Sequence, residues 1–432
     1  MKKFLIKGLV VMLIIVMLVG CGEDTANSSN SESAKGDGAV ESKEKVELTF
    51  MINHATDLGI TVAIQEAIDD FEKENKNIEV ELVSGVADYE AVMKTRMGAN
   101  DLPDLWATHG WSVARYSEYL RPLNDQEWAN KVNSGITNVI TNDDGELFVL
   151  PVDMDLSGIV YNVDVIEAAG VDVNTINTWD EFLDACQLIK DAGYTPIHMG
   201  GKDYWTVANF FDWVAPSFYI TDENDNDIET LLGGDFDWNN WSEACDLMMV
   251  LDERGFLNKD KLSSTYTDSA KNLAMGKVGF EFYGNYVIGE ALRYNADANL
   301  SFMPVPSDSK NDEKTLISGE RNAFGVWKDT EHEEEALLLL QYLARPDVMT
   351  SIASASALPA GLKGVESDTG NLASAYAEYS SLRGFNYFDR AFLPSGMWET
   401  MESTSTGLLA GEMTVQEVCD KMKTDYLRLI QQ

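Results

Sequence analysis

Two periodicities alternate at the start of the apolar part of this chain. Val46-Glu47-Leu48-Thr49-Phe50-Met51-Ile52 is a short run rich in β-branched and aromatic residues, and after it Ile60, Ile64, Ala67, Ile68 and Phe71 recur at helical spacing. Ile78-Glu79-Val80-Glu81-Leu82-Val83 then alternates at period two, and Tyr89, Val92, Met93 and Met97 return to the helical period. A helix carried between two strands can cover one face of a sheet, so strand, helix, strand, helix is the order of a wound α/β fold.

The pattern continues with changes of emphasis. Residues 179–192 read as a helix: Thr178 is a candidate N-cap with Glu181 three residues on, Phe182, Ala185, Cys186 and Ile189 form one stripe, and Gly193 follows. Residues 203–251 are aromatic-rich and helical in pattern, interrupted by an acidic loop at 222–227. An apolar run, Val278-Gly279-Phe280-Glu281-Phe282, and an extended one, Phe302-Met303-Pro304-Val305-Pro306, precede helical patterns at 333–344 and 415–430. A body of roughly 390 residues at this apolar content is expected to build two cores.

The body is preceded by a leader and a stalk. Lys2, Lys3 and Lys7 run into an apolar stretch at 9–19 that stops at Leu18-Val19-Gly20-Cys21. Charged, apolar, small is the order of a secretory signal, and the apolar part is short for a permanent span. The final cysteine resembles a bacterial lipobox, which implies that 1–20 is a lipoprotein signal peptide and Cys21 the lipidated first residue of the mature chain. Residues 21–44, rich in Ser, Asn, Gly and acids, have too little apolar surface to order themselves and read as a disordered tether. The expected localisation is extracytoplasmic, anchored to the cell membrane. An N-terminal membrane helix or an ordinary cleaved signal is the alternative.

The chain carries 72 acidic and 32 basic side chains, a formal charge of −40. Nucleic acid is excluded as an expected partner because its phosphates need a clustered basic surface. Beyond Cys21 the cysteines are Cys186, Cys245 and Cys419, too few for a disulfide framework, and Cys186 is expected as a buried thiol. The four histidines, His54, His109, His198 and His332, are scattered, so neither a metal site nor a cofactor is expected.

The densest motif is Tyr161-Asn162-Val163-Asp164-Val165-Ile166-Glu167-Ala168-Ala169-Gly170 followed by Thr178-Trp179-Asp180-Glu181-Phe182. With Leu102-Pro103-Asp104-Leu105, Leu150-Pro151-Val152-Asp153, Gly276-Lys277-Val278-Gly279-Phe280, Gly284-Asn285-Tyr286, Met303-Pro304-Val305-Pro306, Gly325-Val326 and Leu358-Pro359-Ala360, it resembles the family 1 extracellular solute-binding proteins of ABC importers, the maltose-binding-protein-like group. The resemblance spans about residues 46–430. Tyr286 stands where that family more often has Trp.

The resemblance implies a periplasmic-binding-protein-like α/β fold of two discontinuous lobes joined by a hinge, with the ligand cleft between them. Lobe 1 is expected at 45–153 with 302–326, and lobe 2 at 154–301 with 327–432. It implies a non-enzymatic, monomeric receptor that hands a carbohydrate, in the first instance an oligosaccharide, to ABC permease subunits. Sugars ask for aromatic faces and for polar groups that meet hydroxyls, and loops after strand ends present them. On that basis the expected ligand set is Asn53 and His54 after the first strand, Thr108, His109 and Trp111 after the Pro-Asp strand, Asp153 and Asp155 at the first crossing, and Trp205, Tyr283, Asn285, Tyr286, Glu320, Arg321 and Trp398.

Duller readings stand beside these. A Trp among ten is more often core, as expected for Trp106, and Trp179, Asp180 and Glu181 serve helix start and packing although they match the family best. Asp153 and Asp155 could be caps, and Glu320 and Arg321 could pair with each other. Two other functions remain open: the same receptor role for a polyamine, metal chelate or peptide, and an exported glycoside hydrolase, whose flanking carboxylate pair has no recognisable local setting here.

Overall fold

The structure, a computed structural model, describes residues 45–431 apart from positions 88, 109, 111, 134, 143, 223–225, 310, 311 and 380. The expected signal peptide, Cys21 and the expected tether therefore lie outside the described residues. No helix among the described residues is long and apolar enough to cross a membrane.

The opening elements form where the periodicity places them. Strands Val46–Met51 and Ile78–Val83 pair in parallel, and helix Gly59–Glu74 buries Ile60, Ile64, Ala67, Ile68 and Phe71 against them. They belong to a five-stranded sheet in the order Ile78–Val83, Val46–Met51, Leu105–Ala107, Ala323–Val326, Leu150–Pro151. A second sheet, of four strands, runs Thr195–Ile197, Val278–Glu281, Ile159–Asn162, Leu300–Met303. The helix over 179–192 is observed as Trp179–Asp191 with a complete capping box: the Glu181 amide donates to Thr178 Oγ1, and Glu181 Oε2 accepts from the Thr178 amide at 3.1 Å.

A third sheet, of three strands, joins the two. Met154–Ser157 runs antiparallel to Leu316–Glu320, which pairs in parallel with Gly384–Asn386. The chain runs from the first sheet at Leu150–Pro151 through Met154–Ser157 into the second sheet at Ile159–Asn162. It returns from Leu300–Met303 through Leu316–Glu320 to Ala323–Val326. Two antiparallel passes through one small sheet thus connect two hydrophobic cores.

The lobe boundaries differ from those drawn on the sequence. Leu300–Met303 pairs with Ile159–Asn162, and Phe302 and Met303 pack in the second lobe rather than the first. Helices Glu333–Leu343 and Pro346–Ala355 pack Leu339, Leu340, Leu343, Met349 and Ile352 into the first core, and the chain rejoins the second lobe near Leu372. An amphipathic stripe announces a buried face without saying which core receives it.

The aromatic residues of the middle segment build the second core. Phe210, Phe211, Trp213, Tyr219, Trp238 and Trp241 cluster there with Trp179, Phe182, Phe280 and Phe282, and the Trp179 indole donates to Ser217 Oγ at 2.9 Å. Trp106 is fully buried in the first core, and Cys186, Cys245 and Cys419 are buried free thiols.

Glu281 is a buried exception at the end of its strand. It is wholly enclosed, neither carboxyl oxygen has a hydrogen-bond partner among the described residues, and desolvation pushes its pKa well above the ordinary glutamate value. Because the folded value exceeds the unfolded one, its contribution is most favourable below about pH 4.5 and declines as pH rises. Glu281→Met is expected to raise Tm by roughly 2–4 °C at pH 7.5, with a smaller gain at pH 4.5, measured by thermal unfolding at both values. An equal gain at the two pH values would contradict this account.

Candidate ligand-binding site

The linking sheet brings four acidic or basic side chains to one place, and each is held differently. Asp153, at the first crossing, accepts the Asn322 amide at 2.8 Å and Asn322 Nδ2 at 2.6 Å, while Asn322 Oδ1 lies 2.6 Å from His54 Nε2. Glu320, at the second crossing, accepts Thr108 Oγ1 at 3.3 Å, the Ser112 amide at 3.2 Å and Ser112 Oγ at 2.8 Å. Burial drives both carboxyls up, each to about 7, against the pull of these donors. Asp153 and His54 thus meet at Asn322, and Glu320 meets Thr108 and Ser112, two clusters that fasten the crossings to the first lobe.

Asp155 is also buried and takes hydroxyl donors from Ser157 and Tyr387. Burial raises its pKa and the nearby Arg321 charge opposes the rise. The Arg321 guanidinium lies over the Tyr286 ring, 4.1 Å from the centroid.

From Tyr286 a row of partly exposed rings leads along the second lobe. Tyr266 is 6.4 Å from Tyr286, and Trp205 is 5.1 Å from Tyr266. Tyr283 stands behind the row, 5.8 Å from Trp205 and 1% exposed, its hydroxyl accepting the Gly200 amide at 2.9 Å and lying 3.1 Å from Ser269 Oγ. Asn285 is buried as well: its amide donates to Ser157 Oγ at 3.0 Å and its Nδ2 to Leu156 O and the Tyr376 hydroxyl. Both expected residues are buried and hydrogen-bonded to neighbouring groups.

The short helix Phe388–Phe392 adds a group that the sequence reading missed. The Asp389 amide donates to Asp212 Oδ1 at 2.8 Å, and burial together with the neighbouring carboxyl pushes Asp212 well above the carboxylate range. Asp389 Oδ1 in turn lies 3.9 Å from Arg390 Nε. Arg390 lies over Tyr387, 4.0 Å from its centroid. It reaches the first lobe at Gly110 (φ +80°), where an added Cβ would fall 1.8 Å from the guanidinium. One signal for this group was present: Asp212 is a lone acid in the apolar run Phe210-Phe211-Asp212-Trp213-Val214. Tyr266, in a polar segment, gave none.

The remaining expected residues are scattered. His109 and Trp111 lie outside the described residues. Asn53 is half-buried just past the first strand, and Trp398 packs on the second core with its indole donating to Glu402 Oε1 at 2.9 Å. Among the described residues, neither shares a hydrogen bond or ring contact with the ring row.

Two α/β cores connected by antiparallel crossings, with aromatic faces and charged groups gathered where the crossings emerge, make a hinged solute-binding protein. The chain belongs to the bacterial extracellular solute-binding protein family, whose model matches residues 57–350. It is 29% identical over 423 residues to the melibiose/raffinose/stachyose-binding protein MelE of Bacillus subtilis, covering 97% of this chain and 95% of that one. It is 24% identical over 383 residues to the multiple sugar-binding protein of Streptococcus mutans, covering 83% and 82%. Among solved structures, a sugar transporter from Bacillus licheniformis in complex with stachyose superposes with a TM-score of 0.82 at 32% identity, covering 89% of this chain and all of that one.

The Tyr387 hydroxyl can be tested without disturbing packing. Tyr387→Phe removes a donor to the Asp155 carboxylate, so the folded-state pKa of Asp155 should rise further and the lost stability should grow with pH. The expected deficit is about 1–3 kcal/mol at pH 8 and less at pH 4, read by denaturant unfolding at both. A pH-independent deficit would place the tyrosine's effect in packing.

Proposed function

We propose that this protein is the lipid-anchored receptor of an ABC importer, binding an oligosaccharide between its lobes and delivering it to the membrane permease without altering it. The observation that carries this reading is the row Trp205, Tyr266 and Tyr286, bordered by the Arg321 guanidinium. Ring faces match the C–H surfaces of sugars, and charged groups at their border meet hydroxyls. The MelE relative and the stachyose-bound relative, both similar over most of their length, support saccharides of the melibiose, raffinose and stachyose group as ligands.

Two guanidinium groups in this region, those of Arg321 and Arg390, favour a neutral polyol over a polyamine in spite of the acidic body. Like charges brought together in a partly desolvated site repel. The lipid reading of Cys21 supports a receptor held beside its permease, since each buried methylene of an acyl chain adds about 0.8 kcal/mol of membrane affinity. The receptor acts as a monomer.

Isothermal titration against melibiose, raffinose, stachyose, maltooligosaccharides and spermidine tests the cargo. One or more saccharides should bind stoichiometrically, without reducing-sugar release, and should raise Tm because ligand binds only the folded form. Binding of spermidine alone would replace the sugar reading. Trp205→Ala should weaken saccharide affinity about tenfold or more while leaving the ligand-free Tm nearly unchanged. For the anchor, Cys21→Ala should move the protein from the membrane fraction to the soluble or secreted fraction, as followed by immunoblot. A variant that remains membrane-bound would reject lipidation at this position.

A further inference from the structure

Arg321 occupies a peculiar place in the chain. It lies in the turn between the linking strand Leu316–Glu320 and the first-lobe strand Ala323–Val326, with its neighbours on both sides pinned: Glu320 by Thr108 and Ser112, Asn322 by Asp153 and His54. With the backbone fixed, the side chain crosses to the second lobe and lies over the ring of Tyr286, the first residue of helix Tyr286–Leu292. That ring is itself wedged, since a Cβ added at Gly284 would come 3.1 Å from it and 2.9 Å from Trp213. The guanidinium thus covers the ring face toward it, where the family resemblance would have a sugar stack.

An arginine stacked by its face keeps its N–H groups in the plane of the guanidinium, directed outward from the ring it covers. Asp155, whose carboxylate lies within the field of Arg321, further favours the cation staying in place. We propose that Arg321 is the ligand-hydroxyl donor of the cleft and that Tyr286 is a positioning residue, serving as the platform for the guanidinium rather than for the sugar. The sugar then stacks on Tyr266 and Trp205, beyond the arginine. This rests on the saccharide reading above. It selects ligands that present adjacent acceptor oxygens at this point, and it disfavours cationic ones.

A double-mutant cycle in the full-length protein, titrated with raffinose, tests the assignment. Arg321→Met and Tyr286→Leu should each weaken binding about tenfold, the double variant should be no weaker than the worse single one, and Tyr286→Phe should bind nearly as wild type. Arg321→Lys should restore the ligand-free Tm, because it returns a charge beside Asp155, while leaving affinity reduced; it also carries the test if Arg321→Met does not fold. Additive losses, or Arg321→Met binding as tightly as wild type or tighter, would overturn the assignment, as would recovery of affinity together with Tm in Arg321→Lys. Wild type that binds raffinose while the cycle is additive overturns this inference alone. Wild type that responds to no saccharide overturns it together with the function proposed above.

Discussion

A carboxylate can be buried at the junction of two lobes only if hydrogen-bond donors are buried with it, and those donors have to come from chain segments far apart in sequence. Asp153 and Glu320 set this requirement here. Asp153 recruits Asn322 from the returning strand, and through it His54 from the end of the first strand. Glu320 recruits Thr108 and Ser112 from the segment after the Leu105–Ala107 strand. Most of what positions the cleft follows from these two clusters: they fix both passes of the chain and hold the turn that carries Arg321.

The two lobes contribute unlike chemistry to the cleft. The first supplies the hydrogen-bonded frame around Asp153 and Glu320 and a close backbone approach at Gly110. The second supplies the partly exposed rings of Trp205, Tyr266 and Tyr286. One lobe can therefore hold a flat ligand while the other closes over it, a division that suits a hinged receptor.

Much of the architecture was legible from local pattern. Period-two and helical spacing located the opening strands and helices, and Thr178 with Glu181 located a helix start down to its reciprocal hydrogen bonds. What was not legible was the partner of each buried face. The stripe at Leu339, Leu340 and Leu343 fits either core equally well by periodicity, and Leu300–Met303 is a strand whose register with Ile159–Asn162 no local pattern specifies. The site divided in the same way. Asp155, Tyr286 and Arg321 of the expected set are brought near one another, while local pattern did not announce that Tyr283 is buried against Tyr266, a residue whose polar segment carried no signal.

The interleaved path of the chain also dictates an order of assembly. The first sheet is incomplete until Ala323–Val326 arrives, and its core lacks Leu339, Leu340, Met349 and Ile352 until the second sheet has already been synthesised. Neither lobe can therefore mature alone from one end of the chain, and the long sequence separation of these contacts slows collapse to the native state. A chain delayed in this way stays unfolded longer after synthesis, which is the condition that passage through a narrow export channel requires.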